Sequence, residues 1–244
     1  MIRVAAVGDI HLAPGGEGTL RPAFARLGDQ ADLLLLAGDL TRHGTPEEAA
    51  VVAGEVAGLP VPVVAVLGNH DHHADRPQEV AGVLTEAGVT VLEGGSTVID
   101  VHGTAVGVAG AKGFCGGYAG RCGSDFGEPE MKAFMRYSRT CADGLRRALA
   151  DLARAGVALR IALTHYSPVT DTLAGEPPEI HPFLGSYLLS EAIDEIGADL
   201  AVHGHAHLGT EHGITAGGVL VRNVAMPVID RAYAVYHLSP RPCP

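Results

Sequence analysis

Basic residues are scarce in this chain: 17 lysines and arginines face 28 aspartates and glutamates, for a formal net charge of −11. A surface of that sign repels long polyanions, so no extended nucleic acid is expected as a partner. Only four cysteines occur, Cys115, Cys122, Cys141 and Cys243, and they form neither a C-x-x-C pair nor a zinc-finger spacing. Reduced thiols are the expectation, with a Cys115–Cys122 disulfide as the alternative. No uninterrupted apolar run is long enough to cross a bilayer, and no basic leader precedes the first strand at Ile2. These absences predict a soluble, cytoplasmic protein with no membrane partner. There is no linker-like stretch, internal repeat or low-complexity tail, so residues 1–244 read as a single domain.

What is present favours a packed chain. Hydrophobic residues make up 47% and charged residues 18%, and the mean hydropathy is +0.20, which argues against disorder. Apolar stretches at Ile2 to Val7, Leu33 to Ala37 and Val61 to Leu67, the last rich in β-branched residues, read as buried strands. Helical patterns lie between and after them, at Thr19 to Gln30, Thr45 to Ala57 and Pro77 to Ala87. The second of these opens with Thr45 as N-cap and Pro46 in its first turn. Repeated strand and helix indicate parallel βαβ units. Thr97 to Val101 and Ala105 to Ala109 instead form a hairpin around His102-Gly103-Thr104, which makes the sheet arrangement mixed.

The glycine-rich stretch from Gly110 to Gly127 reads as a long functional loop, a candidate lid. Glu128 to Ala155 is helical with a break expected near Cys141 to Gly144. A strand over Leu159 to Leu163, a helix over Tyr187 to Ile196 and a strand over Asp199 to Val202 follow. The closing strands, Gly218 to Val224 and Tyr233 to Leu238, are expected to pair antiparallel with each other.

Chemistry concentrates where these strands end. Asp9 with His11, Asp39, Asn69 with His70, His165, and His205 with His207 each follow a predicted strand, and carboxyl ends of strands in open α/β sheets are where ligands bind. Residues two apart in an extended chain share a face, so Asp9 and His11 are expected to reach one point. Asp, His and Asn offer oxygen and nitrogen donors without thiolate, which suits transition metals such as Mn, Fe or Zn. Seven such donors exceed the needs of one ion and suit two. A two-metal site, with ions about 3.5–4 Å apart, lowers the pKa of a shared water and clamps a phosphoryl group.

In their order, Gly8-Asp9-Ile10-His11, Gly38-Asp39 through Gly44, Gly68-Asn69-His70-Asp71, His165 and Gly204-His205-Ala206-His207 resemble the motifs of the calcineurin-like metallophosphoesterases. The resemblance implies a four-layer α/β sandwich of two mixed sheets flanked by helices. It implies that Asp9, His11 and His207 bind one di- or trivalent metal ion, that Asn69, His165 and His205 bind a second, and that Asp39 bridges them. It also implies that His70 meets the substrate phosphate and protonates the leaving oxygen, with Asp71 orienting it. Adjacent strand residues point to opposite faces, which independently gives His70 a place apart from the metal that Asn69 binds.

The resulting expectation is a hydrolase for small phosphodiesters, of cyclic-nucleotide or glycerophosphodiester type, working through attack of metal-bound hydroxide on a small phosphoester substrate. The alternatives are a phosphomonoesterase or protein phosphatase of the same family and, in a different class, a non-catalytic metal-binding scaffold. His203 is expected to support the site from behind, and His72 and His73 to face solvent. Lys112 and Arg121 are read either as grips for a further phosphate oxygen or as exposed loop cations, and His43 and His181 as residues of the entrance.

Overall fold

Along a single strand, alternate residues enter two different cores. The structure, a computed structural model, describes residues 1–240; Cys243 lies outside the described residues. The first half of the chain supplies β1 (Ile2–Val7), α1 (Arg21–Phe24), α2 (Leu27–Gln30), β2 (Leu33–Ala37), α3 (Pro46–Val56), β3 (Val63–Val66), α4 (Pro77–Glu86) and β4 (Val89–Val91). Then come β5 (Gly95–Val101), β6 (Thr104–Ala111), β7 (Gly117–Tyr118), β8 (Arg121–Cys122) and the long α5 (Pro129–Arg154). The remainder holds β9 (Leu159–Thr164), α6 (His181–Leu184), α7 (Tyr187–Ile196), β10 (Leu200–His203), β11 (His212–Ile214), β12 (Leu220–Asn223), α8 (Met226–Ile229) and β13 (Ala234–Leu238).

Two mixed sheets result, a five-stranded one in the order β13-β1-β2-β3-β4 and a six-stranded one in the order β11-β12-β10-β9-β6-β5. In β2, Leu33 and Leu35 join Val4, Val64, Val108 and Ile161 in a core between the sheets. Leu34 and Leu36 point the other way, onto Phe24, Leu27, Val52 and Leu84 of the first helical layer. The opposite layer is made by α5 and α7, whose Leu145, Leu149, Leu189 and Ile193 cover Ala109, Ala162 and Ala201. This is the expected four-layer sandwich, and the two-residue alternation of side chains on each strand generates it.

β1, β2, β3 and β4 run parallel, and so do β6, β9, β10 and β12. The hairpin of β5 and β6 closes through His102 and Gly103, both at positive φ, as a two-residue turn requires. Thr45 caps α3 by accepting from the Glu48 amide at 3.2 Å.

Several expectations are corrected. The stretch 19–30 folds into the two short helices α1 and α2 rather than one. The two closing strands do not pair with each other: β12 lies between β10 and β11, while β13 runs antiparallel to β1 in the other sheet. The turn of α8 between them carries the chain from one sheet to the next, so each strand finds a different edge. The stretch 110–127 is less irregular than its glycines suggest, because β6 continues to Ala111 and β7 pairs with β8. Cys115, Cys122 and Cys141 are free thiols, so the alternative of a Cys115–Cys122 bridge is not realised.

Helix α5 passes without a break through Cys141 to Gly144. A mid-helix glycine costs about 1 kcal/mol against alanine, but here it permits contact: a Cβ on Gly144 would lie 3.1 Å from the Cα of Gly94. Burial of Cys141, Ala142 and Leu145 on the same face holds the helix together. Replacing Gly144 with Leu should wedge α5 away from the start of β5 and cost about 1–3 kcal/mol. Urea denaturation reads that loss directly, and an unchanged midpoint at unchanged slope would contradict the close-packing account.

Candidate metal centre

The carboxyl ends of both sheets converge on one cluster. Asp9 and His11 follow β1, Asp39 follows β2, Asn69 and His70 follow β3, His165 follows β9, and His205 and His207 follow β10. Asp9 and His11 are not in an extended strand as expected. They sit at φ 57° and 44°, and Asp39 and His205 at 52° and 72°. Left-handed backbone at non-glycine residues costs roughly 1–3 kcal/mol each and persists where surrounding contacts over-determine it. Those contacts are visible: the Asp9 amide donates to the Gly38 carbonyl at 2.9 Å, and the His11 amide to the Asp39 carbonyl at 3.0 Å.

The glycines of the motifs are sites of close approach. A Cβ at Gly68 would fall 2.1 Å from the Asp39 Oδ1, and one at Gly204 would fall 2.3 Å from the Asp9 Oδ2. Both carboxylates therefore rest directly on backbone. Asp9 Oδ2 accepts from the His205 amide at 2.9 Å, and Asp39 Oδ1 from the His70 amide at 2.8 Å.

Three groups of ligand atoms, each within 4.8 Å of one another, share members: Asp9 with His11 and His207; His11 with Asp39 and His70; Asp39 with His165 and His205. Asn69 joins the last, its Oδ1 2.9 Å from the His165 Nε2. All seven residues read from the sequence as metal ligands are thus brought together, with Asp39 common to two of the groups.

Hydrogen bonds fix the tautomers, because a carbonyl can only accept. His165 donates from Nδ1 to the Ala37 carbonyl at 2.9 Å, His205 from Nε2 to the Phe183 carbonyl at 3.3 Å, and His70 from Nδ1 to the Arg42 carbonyl at 2.7 Å. The Nε2 of His165 stands 2.9 Å from Asn69 Oδ1 and 3.3 Å from Asp39 Oδ1, both of them acceptors. Such an assembly of acceptors calls for a cation among them. The Nε2 of His11 is buried without a hydrogen-bond partner and stands 3.8 Å from the Asp39 Oδ2. The donor set and this orphaned nitrogen fit a transition-metal site.

Asp71 does not orient His70. It is fully buried, and its carboxylate accepts from the amides of Gly68 at 2.8 Å, Thr41 at 2.8 Å and Leu40 at 3.2 Å and from the Thr41 hydroxyl at 2.6 Å. It ties the loop after β3 to the loop after β2, and the partner of His70 is the Arg42 carbonyl. The strand-parity argument for His70 also fails, since Asn69 is in the right-handed helical region and His70–His72 form a single 3-10 turn. No sequence signal marked Arg42, whose contribution is a backbone oxygen.

The secondary candidates separate clearly. His203 is buried and held by the Gly204 carbonyl at 2.7 Å and the Thr172 hydroxyl at 2.9 Å, which braces the loop carrying His205. His72 is not turned to solvent: it is half-buried and its Nε2 has no partner. His43 pairs with Glu48 at 2.8 Å, and the Nε2 of His181 stands 3.3 Å from the Glu176 carbonyl. Arg121 is exposed. Lys112 is no exposed loop cation: it is buried, with its ammonium 5.1–5.4 Å from the ring centroids of Phe114, Tyr166 and Tyr137.

Burial dominates the protonation of the cluster. It pushes His11 down to about 4 and His205 down to about 3, helped at His205 by His165. His203 is likewise pushed down to about 4. Burial, with the Asp9 charge, raises Asp39. For Asp9, burial acts upward, but the His207 hydrogen bond and neighbouring imidazoles outweigh it, and His207 is raised in turn.

Folded His11, His203 and His205 refuse protons that the unfolded chain accepts near pH 6.5, so the metal-free protein should lose stability as pH falls from about 6.5 toward 4. His207 opposes this, since the stability it contributes is fully present below its unfolded value and is lost as pH rises through its folded one. His207, Asp39, Asp71 and Glu93, all raised, act against the large downward shifts of His11, His203 and His205. With the three histidines dominant, the thermal midpoint of EDTA-treated protein should fall between pH 7 and 4.5, and a rise would contradict this balance.

Comparison with known proteins agrees with the geometry. The model of the calcineurin-like phosphoesterase family matches residues 2–209, while none of the curated proteins matches the chain. Among solved structures, phosphopantetheinyl hydrolase from Mycobacterium tuberculosis superposes with a TM-score of 0.70 at 16% identity, covering 99% of this chain and 98% of that one. The protein TT1561 of Thermus thermophilus superposes with a TM-score of 0.57 at 16% identity, over 92% of this chain and 89% of that one. At such identities these two likenesses concern the fold. The family match, carried by the same strand-end motifs, makes the chain a member of the calcineurin-like phosphoesterases and a metal-dependent phosphoester hydrolase.

Proposed function

We propose that this protein hydrolyses small phosphodiesters at a centre for two metal ions, Mn, Fe or Zn. Asp9, His11 and His207 would hold one ion, Asn69, His165 and His205 the other, and Asp39 would lie between them. The observation that carries this reading is that Asp39 groups with His165 and His205 on one side and with His11 on the other, His11 itself grouping with Asp9 and His207, the ligand atoms of each group lying within 4.8 Å of one another. Bound there, the ions supply Lewis acidity, activating water and polarising the phosphoryl oxygens.

The protein's own residues supply the rest. With its Nδ1–H committed to the Arg42 carbonyl, His70 turns Nε2 toward the cluster, 3.9 Å from the Asp39 Oδ2. Its side chain is 42% exposed, enough to meet a substrate arriving from solvent. In this role His70, carrying a proton on Nε2 as well as on Nδ1, offsets charge on the leaving oxygen and hands it the Nε2 proton. Asp71 acts at a distance, holding the Asp39 and Asn69 loops in register. The acidic surface favours small esters over nucleic acid chains, and the free thiols of Cys115, Cys122 and Cys141 fit a reducing, cytoplasmic setting.

With manganese restored, bis-p-nitrophenyl phosphate should be turned over faster than p-nitrophenyl phosphate; a marked preference for the monoester would overturn the diester assignment. Replacing His70 with Ala should leave metal content intact and lower kcat by about 10²–10⁴-fold. Asp71→Asn should instead cost about 1–3 kcal/mol of stability, read by denaturation. Unaltered turnover in the His70 variant would remove the proton-donor role.

A further inference from the structure

An apolar cavity of about 370 Å³ opens between the start of α5 and the segment around α6, walled by Met131, Phe134, Pro182 and Phe183 over Gly116 and Gly123. The size is that of a ligand pocket. Its apolar walls are left open to solvent, with Phe183 57% and Met131 42% exposed, an arrangement that water disfavours.

Two connections join this cavity to the metal centre. Phe183, whose side chain forms one wall, accepts through its carbonyl from the Nε2 of His205 at 3.3 Å, and the same carbonyl lies 3.2 Å from the Cys115 Sγ. The second is a run of rings in tilted contact. His205 packs on Tyr166 with centroids 4.3 Å apart, Tyr166 on Phe114 at 5.9 Å, and Phe114 on Phe134 at 5.2 Å, which is the opposite wall. His205 is therefore in direct contact with Phe183, a residue that lines the apolar compartment. The one charged lining residue is Glu130, which disfavours an anionic occupant.

We infer that this cavity is the subsite for the organic part of the substrate, and that the protein acts on phosphoesters carrying an uncharged, apolar chain of several carbons. The inference rests on the phosphoesterase reading above and adds the class of ester group to it. Each methylene of such a chain that is buried should tighten binding about fourfold, so chain length is the variable that the cavity should sense.

Alkylphosphonates test this cleanly, because each carries a single organic group on a phosphoryl head and is not hydrolysed. Against bis-p-nitrophenyl phosphate turnover with manganese present, octylphosphonate should inhibit at least about tenfold more tightly than methylphosphonate. In Met131→Glu, that ratio should fall below about twofold. Equal inhibition by the two phosphonates in the unaltered protein overturns the subsite while leaving the hydrolase reading intact. A ratio that survives Met131→Glu places the chain elsewhere and overturns it too. Failure to hydrolyse any phosphoester with metals restored overturns both.

Discussion

Two buried carboxylates, with histidines as their ion-pair partners, set the terms for this structure. Asp9 and Asp39 are each 1% exposed, and among the described residues their side-chain ion pairs are to imidazoles, of His207 for Asp9 and of His11, His70 and His165 for Asp39. Burying an anion is costly unless positive charge accompanies it. Burial holds His11 and His205 neutral into acid, so those rings do not supply that charge at neutral pH. Metal cations held among them would, and the folding of both sheets toward one edge brings together the groups of such a site.

The same constraint explains the local backbone. Each carboxylate lies against a glycine from a different strand end, Asp39 against Gly68 and Asp9 against Gly204, so the loop after β2 is locked to the loop after β3, and Asp9 locks the first half of the chain to the second. The left-handed conformations of Asp9, His11, Asp39 and His205 are concentrated in this one region. Strain at those residues is offset by the amide hydrogen bonds. Asp71 extends the scheme: four donors on one buried carboxylate fix the spacing of the loops that carry Asp39 and Asn69.

Much of this was legible in the sequence because strand ends are. The runs over 2–7, 33–37 and 61–67 are predominantly apolar, and the glycine that follows each marks where the acid or amide emerges. Partnerships between distant segments were less readable. Nothing in Tyr233 to Leu238 states that it will join β1 rather than β12, since an edge strand is chosen by what remains uncovered. Gly144 read as a helix stop because its value lies in contact with Gly94, which local pattern does not contain. Asp71 read as the partner of His70 because the two are adjacent, whereas in a 3-10 turn neighbours diverge and a backbone oxygen from Arg42 fills the place. Lys112 looked exposed among glycines, yet the aromatic side chains that enclose it include one from α5 and one from the turn after β9.

The central claim is that Asp39 stands between two metal ions. Metal analysis of the protein purified with manganese or iron in excess, joined to anomalous scattering from crystals of that material, tests it most directly. The account predicts two ions per chain, one beside Asp9, His11 and His207 and one beside Asn69, His165 and His205, with Asp39 touching both. A single ion, or a pair that leaves Asp39 uncoordinated, would contradict it.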